Sequence, residues 1–200
     1  MKNDYIIKKI ERKDTLDLIL NYHYAKRVPS ISYAFGLFLD DELVGCVTYG
    51  KPGGSRVCNG LVGDLYGPKV YELNRLVLKY NNKNEASMLI ANSFKLLPRE
   101  TILISYADTN QEHIGVVYQA TNWMYVGLSA KRTDRVFIDG TKQKHGRHVN
   151  SKEVENFEER TKIVPRPRKH RYVYIVGSKS FKRIVKGNIK YKLLSYPKVK

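Results

Sequence analysis

Residues 70–108 hold the pattern that most narrows what this chain can fold into. Val70–Lys79 is a strand-like apolar run interrupted by one arginine, Arg75. A polar turn, Asn81-Asn82-Lys83-Asn84, leads into Glu85–Leu97, whose apolar side is supplied by Met88, Leu89, Phe94, Leu96 and Leu97 and which Pro98 ends. Thr101–Asp108 is then a mostly apolar run, as a buried strand requires, and it closes on an acid, Asp108. Strand, turn, helix and strand in that order put the turn, the helix start and Asp108 at one end of a sheet. Open α/β sheets hold ligands at strand ends and helix N-termini, so that edge is the expected active site.

The flanking segments fit around this unit. Asp4–Ile10 reads as a strand. Arg12–Tyr24 reads as a helix, with Leu16, Ile19 and Leu20 at helical spacing, Asp14 able to cap it, and Pro29 barring its continuation. Tyr33–Leu39 and Leu43–Tyr49, joined by Asp40-Asp41-Glu42, make a hairpin. Lys51–Lys69 is rich in glycine and reads as a long functional loop. Glu112–Ala120 looks helical, Trp123–Ser129 and Tyr172–Gly177 read as strands, and Ser180–Val185 fits a short helix. The expected fold class is α/β: a mixed central sheet with helices on both faces and a basic C-terminal extension. One domain over residues 1–178 would carry a basic insertion at 131–171 and be followed by a basic tail at 179–200.

Other classes are disfavoured. No apolar run approaches the roughly 20 residues of a membrane span. The N-terminus lacks the apolar stretch of a secretory leader. Cys46 and Cys58 make no metal or redox spacing and read as one core thiol and one loop thiol in a reducing cytoplasm.

Charge separates the chain into two parts. The net charge is +17, yet residues 1–130 hold 15 basic and 13 acidic side chains, whereas residues 131–200 hold 21 basic and 6 acidic. A nearly neutral folding unit with a strongly basic last third is the footprint of a polyanion partner, most often nucleic acid. Lys131, Arg132, Arg135, Lys142, Lys144, Arg147, Arg168, Lys169 and Arg171 are the candidate DNA contacts. A solubilising tail is the plainer alternative. A membrane surface is disfavoured, because the basic region has no clear long apolar face.

Several residues could carry chemistry. Asp108 at a strand end could accept a proton or a hydrogen bond from an amine, or simply cap the helix that follows. Strand alternation puts Leu73, Arg75 and Val77 on one face. A buried guanidinium there needs an internal carboxylate, Glu72 or Asp108, or an anionic ligand. Asn84 and Ser87 open a helix whose N–H groups could hold an anion, although the turn has no glycine to let backbone wrap a pyrophosphate; helix capping explains Asn84 equally well. His23 and Tyr24 stand at the end of the first helix, and His113 opens a later one. Tyr118, Trp123 and Tyr125 form an aromatic set that is either core or a platform for a base taken out of its stack. His145 and His148 lie in the basic segment, where phosphate contact and metal binding are equally open.

Six stretches carry a resemblance: HYAKRVP (His23–Pro29), LVGCVTYG (Leu43–Gly50), ELNRLVL (Glu72–Leu78), NEAS (Asn84–Ser87), SYAD (Ser105–Asp108) and His113–Gly127. In this order they resemble the Mom DNA-modification proteins of Mu-like bacteriophages, over roughly residues 20–130. The element order is also that of the GNAT acyltransferase fold. The resemblance implies a GNAT-like enzyme that converts the N6 amine of adenine in double-stranded DNA to an N6-carbamoylmethyl group. The modification would shield phage DNA from restriction in the host cytoplasm. It implies functional roles for His23 with Tyr24, Arg75, Ser87, Asp108 and Tyr118, and an association with iron, for which His23, Tyr24, Asp108 and Tyr118 are candidate ligands. Arg75, Ser87 and Asn84 are the candidate donor contacts. The turn NNKNEAS lacks the Arg/Gln-x-x-Gly-x-Gly/Ala run of ordinary GNAT enzymes, so acyl-CoA is a doubtful donor. Two alternatives remain: a GNAT N-acetyltransferase acting on a small molecule or protein, and a non-catalytic DNA-binding protein on a GNAT scaffold.

Overall fold

The computed structural model describes residues 5–140 and 156–198. Seven strands form one sheet: β1 (Ile6–Lys9), β2 (Tyr33–Leu39), β3 (Glu42–Gly50), β4 (Val70–Leu78), β5 (Thr101–Asp108), β6 (Met124–Leu128) and β9 (Lys169–Val176), in the order β1-β2-β3-β4-β5-β9-β6. The first four make an antiparallel meander, β4 and β5 run parallel, and β9 inserts antiparallel between β5 and β6. A separate hairpin, β7 (Arg132–Phe137) and β8 (Thr161–Arg166), occupies part of the expected basic insertion. The short helix α4 (Phe157–Arg160) leads into β8.

Helices cover both faces. On one face, α2 (Glu85–Leu96) and α3 (Val116–Ala120) bury Leu89, Ile90 and Tyr118 against Phe35, Leu37, Val47, Leu103 and Tyr172. On the other, α1 (Ser55–Val62) and α5 (Lys179–Asn188) bury Leu61, Val62, Phe181 and Val185 against Val70, Ile102, Ile104 and Val173. Leu18 and Ile19 close that face over Cys46 and Val77.

Four sequence expectations change. The glycine-rich stretch 51–69 contains α1, and Cys58 is a buried core thiol of that helix, not a loop thiol. Arg12–Tyr24 is not one helix but a 3-10 turn, Lys13–Thr15, followed by a π turn, Leu18–Tyr22. The expected tail is packed: Ser178 caps α5 by accepting from Phe181 N at 3.1 Å, Leu194 N donates to Tyr125 O at 3.0 Å, and Tyr196 Oη donates to Trp123 O at 2.7 Å.

The fourth change positions the site. The β3–β4 register shifts so that Thr48 faces Arg75 while Tyr49 faces Leu73, leaving Asn74 as the extra residue of a bulge. Simple alternation therefore fails. Leu73 shares the α2 face with Leu76 and Leu78, whereas Val77 lies on the opposite one. Beyond the bulge β4 continues beside β3 while β5 continues beside β9. The parallel pairing of β4 with β5 spans only Val70–Glu72 against Ile102–Ile104. The two central strands part after Glu72.

Candidate active site at the parting of β4 and β5

The bulge sets one wall. Asn74 and Arg75 both reach the loop that holds HYAKRVP: Asn74 Nδ2 donates to Ser30 O at 2.8 Å, and Arg75 Nε and Nη2 donate to Arg27 O at 3.2 and 2.8 Å. Arg75 Nη1 donates to Asn74 O at 2.5 Å. Thr48 Oγ1 donates to Asn74 Oδ1 at 2.6 Å and fixes that amide. Gly50 permits the approach, since a Cβ there would lie 1.8 Å from Ser30 O. Arg75 is thus held by backbone carbonyls and not by an internal carboxylate, one of the two partners read from the sequence, and two of its five N–H bonds stay uncommitted among the described residues. Burial and the neighbouring Arg27 both press its pKa down.

The loop delivers His23 and Tyr24. Their rings stack at 4.4 Å, and the Tyr24 ring meets His113 edge-on at 6.5 Å. Ala25 N donates to His23 Nδ1 at 3.0 Å, which leaves the proton of the neutral ring on Nε2. Burial, then Arg75, then His113 lower the His23 pKa to about 4. Tyr24 is 57% exposed and is the aromatic surface that faces solvent here.

Across the gap, Tyr118 Oη lies 2.8 Å from Ser105 Oγ, which is 2.9 Å from Leu73 O and donates to it. This chain ties α3, β5 and β4 together where the strands separate. Gly115, with φ +82°, lets Tyr172 pack against the start of α3, where a Cβ would approach its ring to 2.4 Å. Burial pushes the Tyr118 pKa up to about 12, so its hydroxyl stays protonated near neutrality. Tyr118, Trp123 and Tyr125 are all buried in one core cluster, so of the two readings of this aromatic set the core one holds.

Asp108 closes the far side. Its Oδ2 pairs with Lys169 Nζ at 2.8 Å, its Oδ1 accepts from Asn110 N at 3.0 Å, and its carbonyl accepts from His113 N at 3.1 Å. Asp108 thus takes the capping role read from the sequence, and it does so at the edge of the parting. Glu72, the last β4 residue paired with β5, is the carboxylate that strand patterning undervalued. Burial raises its pKa, with Lys169 and then Arg75 opposing. Lys169, expected as a DNA contact, instead pairs with Asp108 and also acts electrostatically on Glu72. Its signal was alternation along β9, where 169 and 171 share a face with the buried Val173 and Ile175.

The helix end expected to hold an anion is filled from within. The Glu85 side chain is 1% exposed, and its carboxylate accepts from Asn82 N at 2.7 Å, Asn82 Nδ2 at 2.9 Å and Tyr5 Oη at 2.7 Å. Ser87 Oγ donates to Asn84 O at 3.1 Å, inside the helix. Asn84 takes the left-handed conformation (φ 70°) and makes no side-chain cap. A buried carboxylate at this turn repels a pyrophosphate, so the turn does not fit acyl-CoA and no step is drawn through it.

Iron fares no better. Tyr118 is buried and hydrogen-bonded to Ser105, both Asp108 oxygens are engaged, and His23 Nδ1 accepts from Ala25 N, which leaves the ring proton on Nε2. Among the described residues no group of three or more His, Cys, Asp or Glu side chains stands together as a metal site. The candidate set does not fit the metal, and no step is routed through it.

The DNA candidates divide. Arg168 Nε donates to Ser129 O at 2.6 Å, and Arg171 Nη2 donates to Leu128 O at 3.0 Å while its guanidinium lies 3.7 Å over Tyr191. Both brace β9. Arg135 pairs with Glu158 at 2.5 Å. Lys131 and Arg132 are exposed. Lys142, Lys144 and Arg147, with His145 and His148, lie outside the described residues. No helix among the described residues is long and apolar enough to cross a membrane.

The model of the Mom protein family matches residues 4–198. Comparison with curated proteins returned no match. Among solved structures, a probable acetyltransferase from Staphylococcus epidermidis is 16% identical, covering 86% of this chain and 98% of its own, with a TM-score of 0.49. A Bacillus subtilis acetyltransferase in complex with CoA is 15% identical, covering 87% and 99%, at 0.46. A GNAT family acetyltransferase from Elizabethkingia anophelis with acetyl-CoA bound is 13% identical, covering 87% and 99%, at 0.46. Likeness at this level says nothing of substrate or donor.

Proposed function

Because the chain belongs to the Mom protein family, we propose that it is a transferase that converts the N6 amine of adenine in double-stranded DNA to an N6-carbamoylmethyl group. The observation that carries this reading is convergence. His23, Tyr24, Arg75, Tyr118 and Asp108 come from separate stretches of sequence and gather around the parting of β4 and β5.

The chemistry asks for what these residues offer. Adenine N6 is a weak nucleophile, because its lone pair is delocalised into the ring, and it must leave the duplex to be reached. Tyr24, exposed and backed by His23, offers a face on which an extruded base can stack. Asp108, fixed by Lys169 and Asn110, keeps lone pairs for hydrogen bonds from the amine. The two uncommitted N–H bonds of Arg75 can hold a carbonyl or anionic part of the donor. The basic last third supplies phosphate contacts, so DNA affinity should fall steeply with salt.

The test is mass spectrometry of nucleosides from the DNA of cells expressing the protein. A heavier adenine, absent from cells carrying Asp108→Ala, is the expected result. Unmodified adenine with the wild-type chain would overturn the reading.

A further inference from the structure

Resting on that reading, we propose that Glu72 is the catalytic base, taking the proton from the adenine amine while Asp108 holds the amine in place. Glu72 occupies the last rung of the β4–β5 ladder, opposite Ile104, with the bulge two residues on. Its charge is felt by groups from four other places in the fold, Lys169 of β9, Tyr106 of β5, Tyr118 of α3 and Cys58 of α1, and by Arg75 of its own strand.

Hydrogen bonding separates the two acids. Among the described residues the Glu72 carboxylate has no hydrogen-bond or ion-pair partner, and neither of its oxygens is sealed from solvent. Asp108 has one oxygen on Lys169 and the other on Asn110 N. Protonating Asp108 would weaken an ion pair and a charge-assisted cap, whereas protonating Glu72 breaks no such contact. Burial also raises the proton affinity of Glu72. Two acids in contrasting environments are how a site divides an orienting role from a proton-accepting one.

The step balances. The N6–H bond breaks toward a Glu72 oxygen as the N–C bond forms to the methylene of the donor, an activated two-carbon amide. The bond from that methylene to its leaving group breaks, and the leaving group departs with the electron pair. Glu72, now a carboxylic acid, returns its proton to solvent.

The experiment compares wild type, Glu72→Gln and Glu72→Asp by nucleoside mass spectrometry, alongside DNA binding and thermal melting of each purified full chain. Glu72→Gln should lower modification by roughly 100-fold or more with binding and melting unchanged. Glu72→Asp, which keeps the acid but shortens its reach, should recover part of that loss. Modification by Glu72→Gln within threefold of wild type would overturn the assignment. Should Glu72→Gln fail to fold, Glu72→Asp decides: a loss of about tenfold supports the assignment, and wild-type activity refutes it. Modification by wild type together with an active Glu72→Gln sinks the Glu72 assignment alone. Unmodified adenine in wild-type cells sinks the transferase reading, and Glu72 with it.

Discussion

The α2 N-terminus and the parting of β4 and β5 lie at the same end of the sheet and are built in opposite ways. At the helix, a buried Glu85 carboxylate takes the backbone N–H, the side-chain amide and the hydroxyl around it. At the parting, cationic Arg75 and Lys169 act on a Glu72 carboxylate that has no hydrogen-bond or ion-pair partner among the described residues. The first place is saturated and negative; the second is charged and incomplete. A polar cluster that satisfies itself rigidifies a fold, whereas one that leaves groups unmatched awaits a ligand. The contrast moves the expected donor site away from the helix end, where ordinary acyl-CoA chemistry would put it, toward the gap between the strands.

Breaking the saturated side should have the largest effect. Glu85→Ala leaves three donors without an acceptor and should cost about 3 kcal/mol of stability. For a chain of this size that is a fall of about 10 °C in melting temperature, read by calorimetry. A smaller loss would mean that water replaces the carboxylate and that the turn is more open than its hydrogen bonds imply. Saturable binding of acetyl-CoA to the wild-type protein would contradict the contrast directly.

On the incomplete side, Arg75→Ala releases the Arg27 carbonyl and with it the loop bearing His23 and Tyr24. Displacing a positioned group by about an ångström can cost roughly 100-fold in rate, so adenine modification should fall by about that much. Limited proteolysis should cut faster at Lys26 and Arg27. Loss of activity without faster cleavage would place Arg75 on the donor, not on the loop.

Much of this architecture was legible because it rests on periodicity. The strand Tyr33–Leu39 and the strand Thr101–Asp108 stand where their apolar patterns put them, and α2 ends beside Pro98. What stayed hidden is non-local or one residue in size. Nothing in ELNRLVL announces that Asn74 is an extra residue, yet the bulge decides which face Leu73 takes. Glycines at 54, 60 and 63 masked α1, although Cys58, Leu61 and Val62 are the buried set of a helix. Phe181 and Val185, four residues apart, were the available sign that the C-terminal segment packs, and its charge obscured them. The sequence set Glu72 aside as a partner for Arg75; only the length of the parallel ladder shows it at the edge of the gap.

Smaller effects sharpen the comparison further. Tyr118→Phe removes one hydroxyl from the link between α3, β5 and β4 while Ser105 keeps Leu73 O, so it should cost about 1 kcal/mol. With its pKa pushed up to about 12, Tyr118 cannot serve as a base near neutrality. A loss of modification far beyond the stability change would instead show that its hydroxyl touches the substrate.

The effect that vanishes at neutral pH is electrostatic and concerns His23, which stands half-buried beside Arg75. Its folded-state pKa, about 4, lies below the ordinary 6.5. Above pH 6.5 the ring is neutral in both folded and unfolded chains, so it adds no pH dependence. As pH falls from 6.5 toward 4 the unfolded chain binds a proton that the folded chain refuses. Stability should therefore decline across that window and level off below it. Stability measured against pH for wild type and His23→Gln isolates this contribution, because the variant lacks the titrating ring. A difference of the opposite sign, with wild type gaining stability as pH falls, would mean that the protonated ring finds an acid in the site. Glu72, without a hydrogen-bond or ion-pair partner among the described residues, is the acid placed to receive it, so the measurement would also report on how open the gap between β4 and β5 is.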